Sequence, residues 1–117
     1  MKLTNREEQI MDYLWKNGKS FVKDIIASFE DPKPHYNTVS TMVRNLEQKG
    51  FVDHKDYGST YCYFAAITKE EYVKSSVKQQ VKKYFDNSYK SFISSLVDSN
   101  ELTLEEVKEL IEMIKKK

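Results

Sequence analysis

Residues 34–64 read PHYNTVSTMVRNLEQKGFVDHKDYGSTYCYF, and the change of period inside that stretch decides the fold. Val39, Met42, Val43 and Leu46 recur at helical spacing, so one face of a helix here is built to meet a core. The opposite face carries Asn37, Thr38, Ser40, Thr41, Arg44 and Asn45. An ordinary solvated helix face is dominated by Lys and Glu. Short hydroxyl and amide side chains near a helix N-terminus are instead groups that hydrogen-bond base edges and phosphate oxygens. Gly50 stands where a helix C′ residue belongs. Phe51-Val52-Asp53-His54-Lys55 then leads through Asp56-Tyr57-Gly58-Ser59 into Thr60-Tyr61-Cys62-Tyr63-Phe64, two strand-like runs around a turn glycine. A helix with a polar outer face running straight into a hairpin is the order of parts of a winged helix-turn-helix.

Toward the N-terminus, Thr4 and Glu7 make a capping box for a first helix whose apolar stripe is Ile10, Met11, Leu14 and Trp15, with Gly18 ending it. Ser20 is expected to cap a short second helix. Val22, Ile25, Ile26 and Phe29 would face inward there, and Asp31-Pro32-Lys33-Pro34 would terminate it, because proline cannot continue a helix. The third helix begins near His35 or Tyr36. Residues 1–66 are thus expected to form a winged-helix DNA-binding domain.

Toward the C-terminus the pattern is helical throughout. Thr68 and Glu71 form a second capping box, with Ile67 and Tyr72 spaced as a hydrophobic staple. Val73, Val77, Val81, Tyr84 and Phe85 keep helical spacing as far as a break at Asn87-Ser88. Tyr89, Phe92, Ile93, Leu96 and Val97 make a second stripe, ended by Asp98-Ser99-Asn100. Thr103 and Glu106 then launch Leu104, Val107, Ile111 and Ile114. Narrow amphipathic helices of this number bury too little surface to close a core alone. Residues 67–117 are therefore expected to be a helical dimerisation domain covered by a second copy of the chain. Val77, Val81, Tyr84, Phe85, Phe92, Ile93, Leu96, Val107, Ile111 and Ile114 are the expected contact residues. The fold class that follows is mainly α, with a small β-hairpin wing and a C-terminal helical dimerisation unit.

Composition excludes more than it proves. The 117 residues carry 19 basic and 18 acidic side chains, a net charge of +1, and residues 1–66 hold nine of each. A DNA-binding surface must then come from where charge is placed, not from its total. The near-neutral balance keeps one alternative open, a winged-helix protein-interaction module without sequence-specific DNA binding. The single cysteine, Cys62, excludes an internal disulfide and a typical structural zinc site. No run approaches the roughly 18 apolar residues needed to span a bilayer, and MKLTNREEQ lacks the apolar segment of a signal peptide, so a cytoplasmic location is expected. Cys62 and His54 share the hairpin without an orienting acid or an oxyanion turn, so no catalysis is expected. Neither a metal nor a cofactor is expected, since Cys62, His35 and His54 make a poor ligand set. The eight tyrosines and six phenylalanines follow helical and alternating spacing, which assigns them to the core and the dimer seam, not to a ligand pocket. Lys115-Lys116-Lys117 complements the last helix dipole.

Three stretches carry a family resemblance: LTNREEQIMDYLW at 3–15, NTVSTMVRNLEQKGFVDHK at 37–55, and LVDSNELTLEEVKELIEMI at 96–114. The middle one, with its T-V-x-T and L-x-x-K-G spacing, is the most specific. On these the chain resembles the penicillinase repressor (BlaI/MecI/CopY) family of bacterial transcription regulators. The resemblance implies a homodimeric repressor of palindromic operators in double-stranded DNA, each subunit placing its third helix in the major groove of one half-site. The base-reading positions fall on Asn37, Thr38, Ser40 and Thr41, with Arg44 and Asn45 farther along. Ser40 stands where relatives often carry arginine, and Gly58 is followed by Ser59 and Thr60 where a basic residue is common, so wing contact to phosphate falls mainly to Lys55. The copper-responsive branch carries Cys-x-Cys motifs near the C-terminus, which Ile114-Lys115-Lys116-Lys117 lacks. The family also implies an antibiotic or cell-wall stress response, relieved by a membrane-bound sensor protease or a protease downstream of it. Well-studied members are cut at an Asn-Phe bond, and Ser95-Leu96 occupies that position here.

Overall fold

The computed structural model describes residues 2–116. In chain order it contains α1 (Asn5–Asn17), α2 (Val22–Ala27), α3 (Tyr36–Gln48), β1 (Val52–Tyr57), β2 (Thr60–Ala65), α4 (Lys69–Tyr84), α5 (Tyr89–Asp98) and α6 (Leu104–Lys115). The mainly helical fold with one hairpin follows the expected class. The chain forms two compact units that part between Ser75 and Ser76.

In the first unit, α1 starts with the expected capping box. The Thr4 backbone N–H donates to Glu7 Oε1 at 2.9 Å, and the Glu7 N–H donates to Thr4 Oγ1 at 3.2 Å. Gly18 closes α1 at φ +76°, a region that favours glycine. Ser20 does not cap α2, contrary to the expectation. Its backbone pairs with Tyr63 through two hydrogen bonds of 2.9 and 2.8 Å, adding a one-residue strand beside β2, while its hydroxyl donates to the Gly18 carbonyl. The cap is Asp24, whose carboxylate reaches back to the Phe21 N–H at 3.0 Å. α2 also ends earlier than the prolines require, because the Ser28 hydroxyl takes the Ile25 carbonyl at 2.6 Å and Lys33 Nζ takes the Phe29 carbonyl at 2.6 Å.

The apolar stripes of α1, α2 and α3 meet in one core. Ile10, Met11, Ile25, Val39, Val43 and Leu46 lose all contact with solvent, and Phe51, Val52 and Tyr63 close the core from the hairpin side. β1 and β2 are antiparallel, Val52 opposite Ala65 and Tyr57 opposite Thr60, which leaves Gly58-Ser59 as a two-residue turn. Gly58 has φ +63°, the conformation such a tight hairpin turn needs at its first position. The expected domain boundary at 66/67 coincides with the Thr68–Glu71 capping box that opens α4. The compact unit runs past it because the first turn of α4 belongs to this core. Trp15 Nε1 donates to the Ile67 carbonyl at 3.0 Å, and the Tyr72 ring lies 5.6 Å from Trp15 and 6.0 Å from Phe51.

The second unit is the end of α4 with α5 and α6. Asp86 and Asn87 take left-handed conformations at the expected break, and Ser88 caps α5 by accepting the Ser91 N–H at 3.1 Å. Asn100 turns the chain again before the Thr103–Glu106 capping box starts α6. Phe85 and Phe92 meet edge to face at 5.5 Å. Among the described residues of this unit only Val81 is buried. No helix among the described residues is long and apolar enough to cross a membrane. Of the basic run at the C-terminus, Lys117 lies outside the described residues.

Candidate nucleic-acid interface

α3 is fixed from both ends and from below. Its C-terminus is a Schellman arrangement in which the Gly50 N–H donates to the Glu47 carbonyl at 3.0 Å and the Phe51 N–H to Leu46 at 2.9 Å, with Gly50 at φ +88°. Phe51 and Leu46 both enter the core, so the turn that closes the helix also aims β1. With Val39, Val43 and Leu46 buried, the other face of α3 must point outward. Asn37, Thr38, Thr41, Arg44 and Asn45 are all exposed, and Ser40 is half-buried. Arg44 Nε sits 3.5 Å from the Ser40 carbonyl, which lays the arginine stem along the helix and leaves the end of its guanidinium free.

Ser40 and Arg44 form one wall of a groove whose other wall is the wing. Tyr36, Ser59, Thr60, Tyr61 and Tyr63 complete it around a volume of about 220 Å³. Tyr36 stands at the head of α3 and is 53 % exposed. Tyr36 and Tyr61 are not among the residues expected from sequence to touch DNA, and Ser59 and Thr60 figure there only as the wing-tip residues that stand in place of a basic one. Their hydroxyls are hydrogen-bonding groups of the kind found against phosphates, and the signal that could have found them was the alternation in Thr60-Tyr61-Cys62-Tyr63, which puts Tyr61 and Tyr63 on one side of the strand. Lys55, expected to be the main wing contact, lies on the other side of the hairpin. It pairs with Cys62, whereas His54 pairs with Tyr63 and reaches α3. The same alternation separates Cys62 from His54, and Cys62 is a buried free thiol.

The cations near this surface differ in availability. Lys49 is tied to Glu7 at 2.9 Å and Lys33 to the end of α2, while Arg44 and Lys55 make no ion pair among the described residues. Burial alone would raise the Glu7 carboxyl, but the Thr4 N–H and the Lys49 ammonium outweigh it and hold the group below its ordinary value. The Tyr63 phenol is pushed up by burial and then by the charge of Glu47. Glu47, Asp53 and His54 offer metal-ligand atoms within 4.8 Å of one another. Each already has a protein partner. His54 Nδ1 lies 2.6 Å from Glu47 Oε2, and Asp53 Oδ1 accepts the His54 N–H at 2.8 Å.

A second surface lies on the second unit. Leu104 and Met113 are each 63 % exposed and Ile114 is 68 % exposed, and Leu110 and Ile111 on α6 are exposed as well. Of the expected dimerisation residues, Tyr84, Ile93, Ile111 and Ile114 are exposed, while Val77, Phe85, Phe92, Leu96 and Val107 are half-buried. Val81 is fully buried within its own chain and so has no surface to offer a partner. Leu104, Leu110 and Met113 are the apolar side chains on α6 that the expected set left out. Ser95 and Leu96 are half-buried inside α5, and the Ser95 hydroxyl donates to the Phe92 carbonyl at 2.7 Å.

Comparison with known proteins agrees with this architecture. A family model described as penicillinase repressor matches residues 3–116. The methicillin resistance regulatory protein MecI of Staphylococcus aureus strain N315 is 21 % identical over 117 residues, covering 99 % of this chain and 95 % of the relative. The penicillinase repressor of Bacillus licheniformis is 20 % identical over 118 residues, covering 97 % and 89 %. Among solved structures, the homodimeric winged helix-turn-helix DNA-binding domain of Mb0332 from Mycobacterium bovis superposes with a TM-score of 0.51 at 20 % identity, covering 74 % of this chain and 76 % of that one. That likeness bears on the fold.

Proposed function

This chain belongs to the penicillinase repressor family, whose members are transcriptional repressors and not enzymes, and on that premise we propose that it works in the cytoplasm as a homodimer that reads a palindromic operator. The observation that carries the reading is the outward face of α3. Asn37, Thr38, Thr41, Arg44 and Asn45 are presented together, with no acid in the first turn. In the major groove the N-terminal residues of such a helix contact base edges. Asn37, Thr38, Ser40 and Thr41 take that role here, Arg44 and Asn45 hold phosphates beside them, and Lys55, on the hairpin face turned away from His54, would reach a separate phosphate from the wing. The uncovered apolar face of α6 supports a second copy as the partner of the second unit, since contiguous apolar patches on soluble proteins mark contact sites. Two copies would set two reading helices about 34 Å apart, one turn of duplex.

Induction in the family runs through a membrane-bound sensor protease or a protease downstream of it under antibiotic or cell-wall stress; with Ser95-Leu96 in place of the Asn-Phe bond, release of this repressor would need a different cut or a different signal. The test is a gel shift of the purified protein on its own upstream region, with random duplex as competitor. A specific complex containing two chains is the expected result. Equal affinity for both duplexes would overturn sequence reading in favour of a protein-interaction module.

A further inference from the structure

Glu47 is the single acid of α3, and it lies three residues beyond Arg44, where side chains on a helix are neighbours. A bare carboxylate there repels phosphates that approach Arg44. Its Oε2, however, stands 2.6 Å from Nδ1 of His54 on β1. The imidazole is held on every other side. The Tyr61 ring lies over it at 4.4 Å and 37°, the Tyr63 ring is 5.7 Å away, and Asp56 Oδ1 is 3.7 Å from Nε2. Asp53 fixes the His54 backbone N–H. The charged and titratable groups around the ring are thus Glu47 and Arg44 on α3, Asp53 and Asp56 on β1, and Tyr61 and Tyr63 on β2. Both ring nitrogens face carboxylates, and only the imidazolium has an N–H for each.

Resting on the reading of α3 as the DNA-facing helix, we infer that His54 is a positioning residue for DNA binding. Its Nδ1 clamps the wing to α3 and covers the Glu47 carboxylate, so removing the imidazole leaves Glu47 bare beside Arg44 and lowers affinity for duplex DNA. The pair is partly exposed, with side-chain accessibilities of 28 % for Glu47 and 30 % for His54. Pairs of that kind are modest, so the loss is roughly two- to fivefold.

Fluorescence anisotropy of the full chain on a labelled duplex from its own upstream region, at fixed pH and ionic strength, measures this directly. His54→Ala weakens binding roughly two- to fivefold. Adding Glu47→Gln to that variant restores the wild-type affinity. A clasp that only holds the fold gives no such recovery. Unchanged affinity in His54→Ala overturns the inference, as does a folded double variant no tighter than His54→Ala. Failure of the wild-type chain to bind any duplex is a different outcome, and it counts against DNA binding itself.

Discussion

In the first unit Ile10, Met11, Ile25, Val39, Val43 and Leu46 are shut away from solvent completely. Among the described residues beyond Ser75 only Val81 is, and Leu104, Met113 and Ile114 remain more than half exposed. Both regions are written with the same device, an apolar stripe at helical spacing opened by a Thr-x-x-Glu box. The difference lies in what each stripe finds. α1, α2 and α3 cross one another over a hairpin that supplies Phe51, Val52 and Tyr63, so their stripes converge within one chain. Among its described residues the second unit has no sheet to close against, and its stripes stay open. A periodic apolar face announces that a helix is to be covered, and it is silent on whether the cover comes from the same chain.

The largest expected effect lies in the closed core. Leu46→Ala removes a fully buried side chain next to the Schellman turn and should cost about 2 to 5 kcal/mol, the range for deleting buried methylenes without full collapse of the cavity. Trp15 is the single tryptophan and lies in this unit, so its fluorescence in a urea titration reports the loss. The midpoint should not depend on protein concentration if the unit is self-sufficient; a strong dependence would break the contrast between the two halves.

Ile114→Glu attacks the open half. A carboxylate placed in an apolar dimer seam should cost on the order of 3 kcal/mol, enough to turn a micromolar dimer into monomer while the Trp15 signal is unchanged. Light scattering after gel filtration decides it. A wild-type chain that is already a folded monomer at micromolar concentration would remove the reason for the exposed α6 face.

How far the sequence could be read follows the same division. Three capping boxes, the Gly50 and Gly18 stops and the Asn87-Ser88 break were all legible, because each depends on side chains within a few residues of the backbone group they satisfy. The error at Ser20 has a different origin. A serine before an apolar run is a good local cap, but the Tyr63 backbone, far along the chain, claimed the Ser20 strand bonds, and Asp24 took the capping role. Val81 was placed in the dimer seam because its spacing matches the stripe, and spacing cannot tell a residue buried by its own chain from one buried by another. The outward face of α3 was legible residue by residue. The Tyr36–Tyr61 side of the groove was not, since it exists only once the hairpin register is known.

Within the first unit, the surface of α3 divides into groups with different expected behaviour. Asn37→Ala or Thr41→Ala should cost about 1 to 3 kcal/mol on the specific site and almost nothing on random duplex, if these side chains touch base edges. Arg44→Ala and Lys55→Ala should weaken all duplexes alike and lower the salt slope by about one unit each. Lys55 sharpens the contrast further, because it stands on the hairpin face turned away from His54. A Lys55 variant with an unaltered salt slope would move the wing contact to the Ser59-Thr60 tip.

A smaller effect comes from the charge that joins α1 to the end of α3. Glu7 is held ionised by the Thr4 N–H and Lys49 against the opposing effect of burial. A carboxyl held below its ordinary value in the folded state stabilises the fold above the unfolded range of about 4.3, and that contribution is lost as pH falls through the lowered value. Glu7→Gln keeps an oxygen for Thr4 but drops the charge, and should cost about 1 kcal/mol near neutral pH. Thermal melts of the two proteins should converge as the pH is taken below that range; a difference that persists in strong acid would assign the effect to packing.

The smallest expected effect is none at all, and it concerns the open half. A protease that recognises side chains around its scissile bond discriminates by how well they fill its pockets, and replacing both flanking residues can cost several kcal/mol of that discrimination. Here Ser95-Leu96 stands where an Asn-Phe bond would be cut in well-studied relatives. The bond also lies inside α5, with Ser95 and Leu96 half-buried and the Ser95 hydroxyl engaged by Phe92, so any cut must wait for local opening of the helix. The two obstacles can be told apart. Co-expression with an Asn-Phe-specific sensor protease and its inducer, followed by intact-mass analysis, should leave the wild-type chain whole. Restoring Asn and Phe at 95 and 96 should allow cutting if recognition is the barrier, and Ser88→Ala, which removes the α5 cap, should allow it if helix opening is. Efficient cleavage of the unaltered chain between Ser95 and Leu96 would show that neither obstacle holds, and that this repressor is released by the route of its relatives.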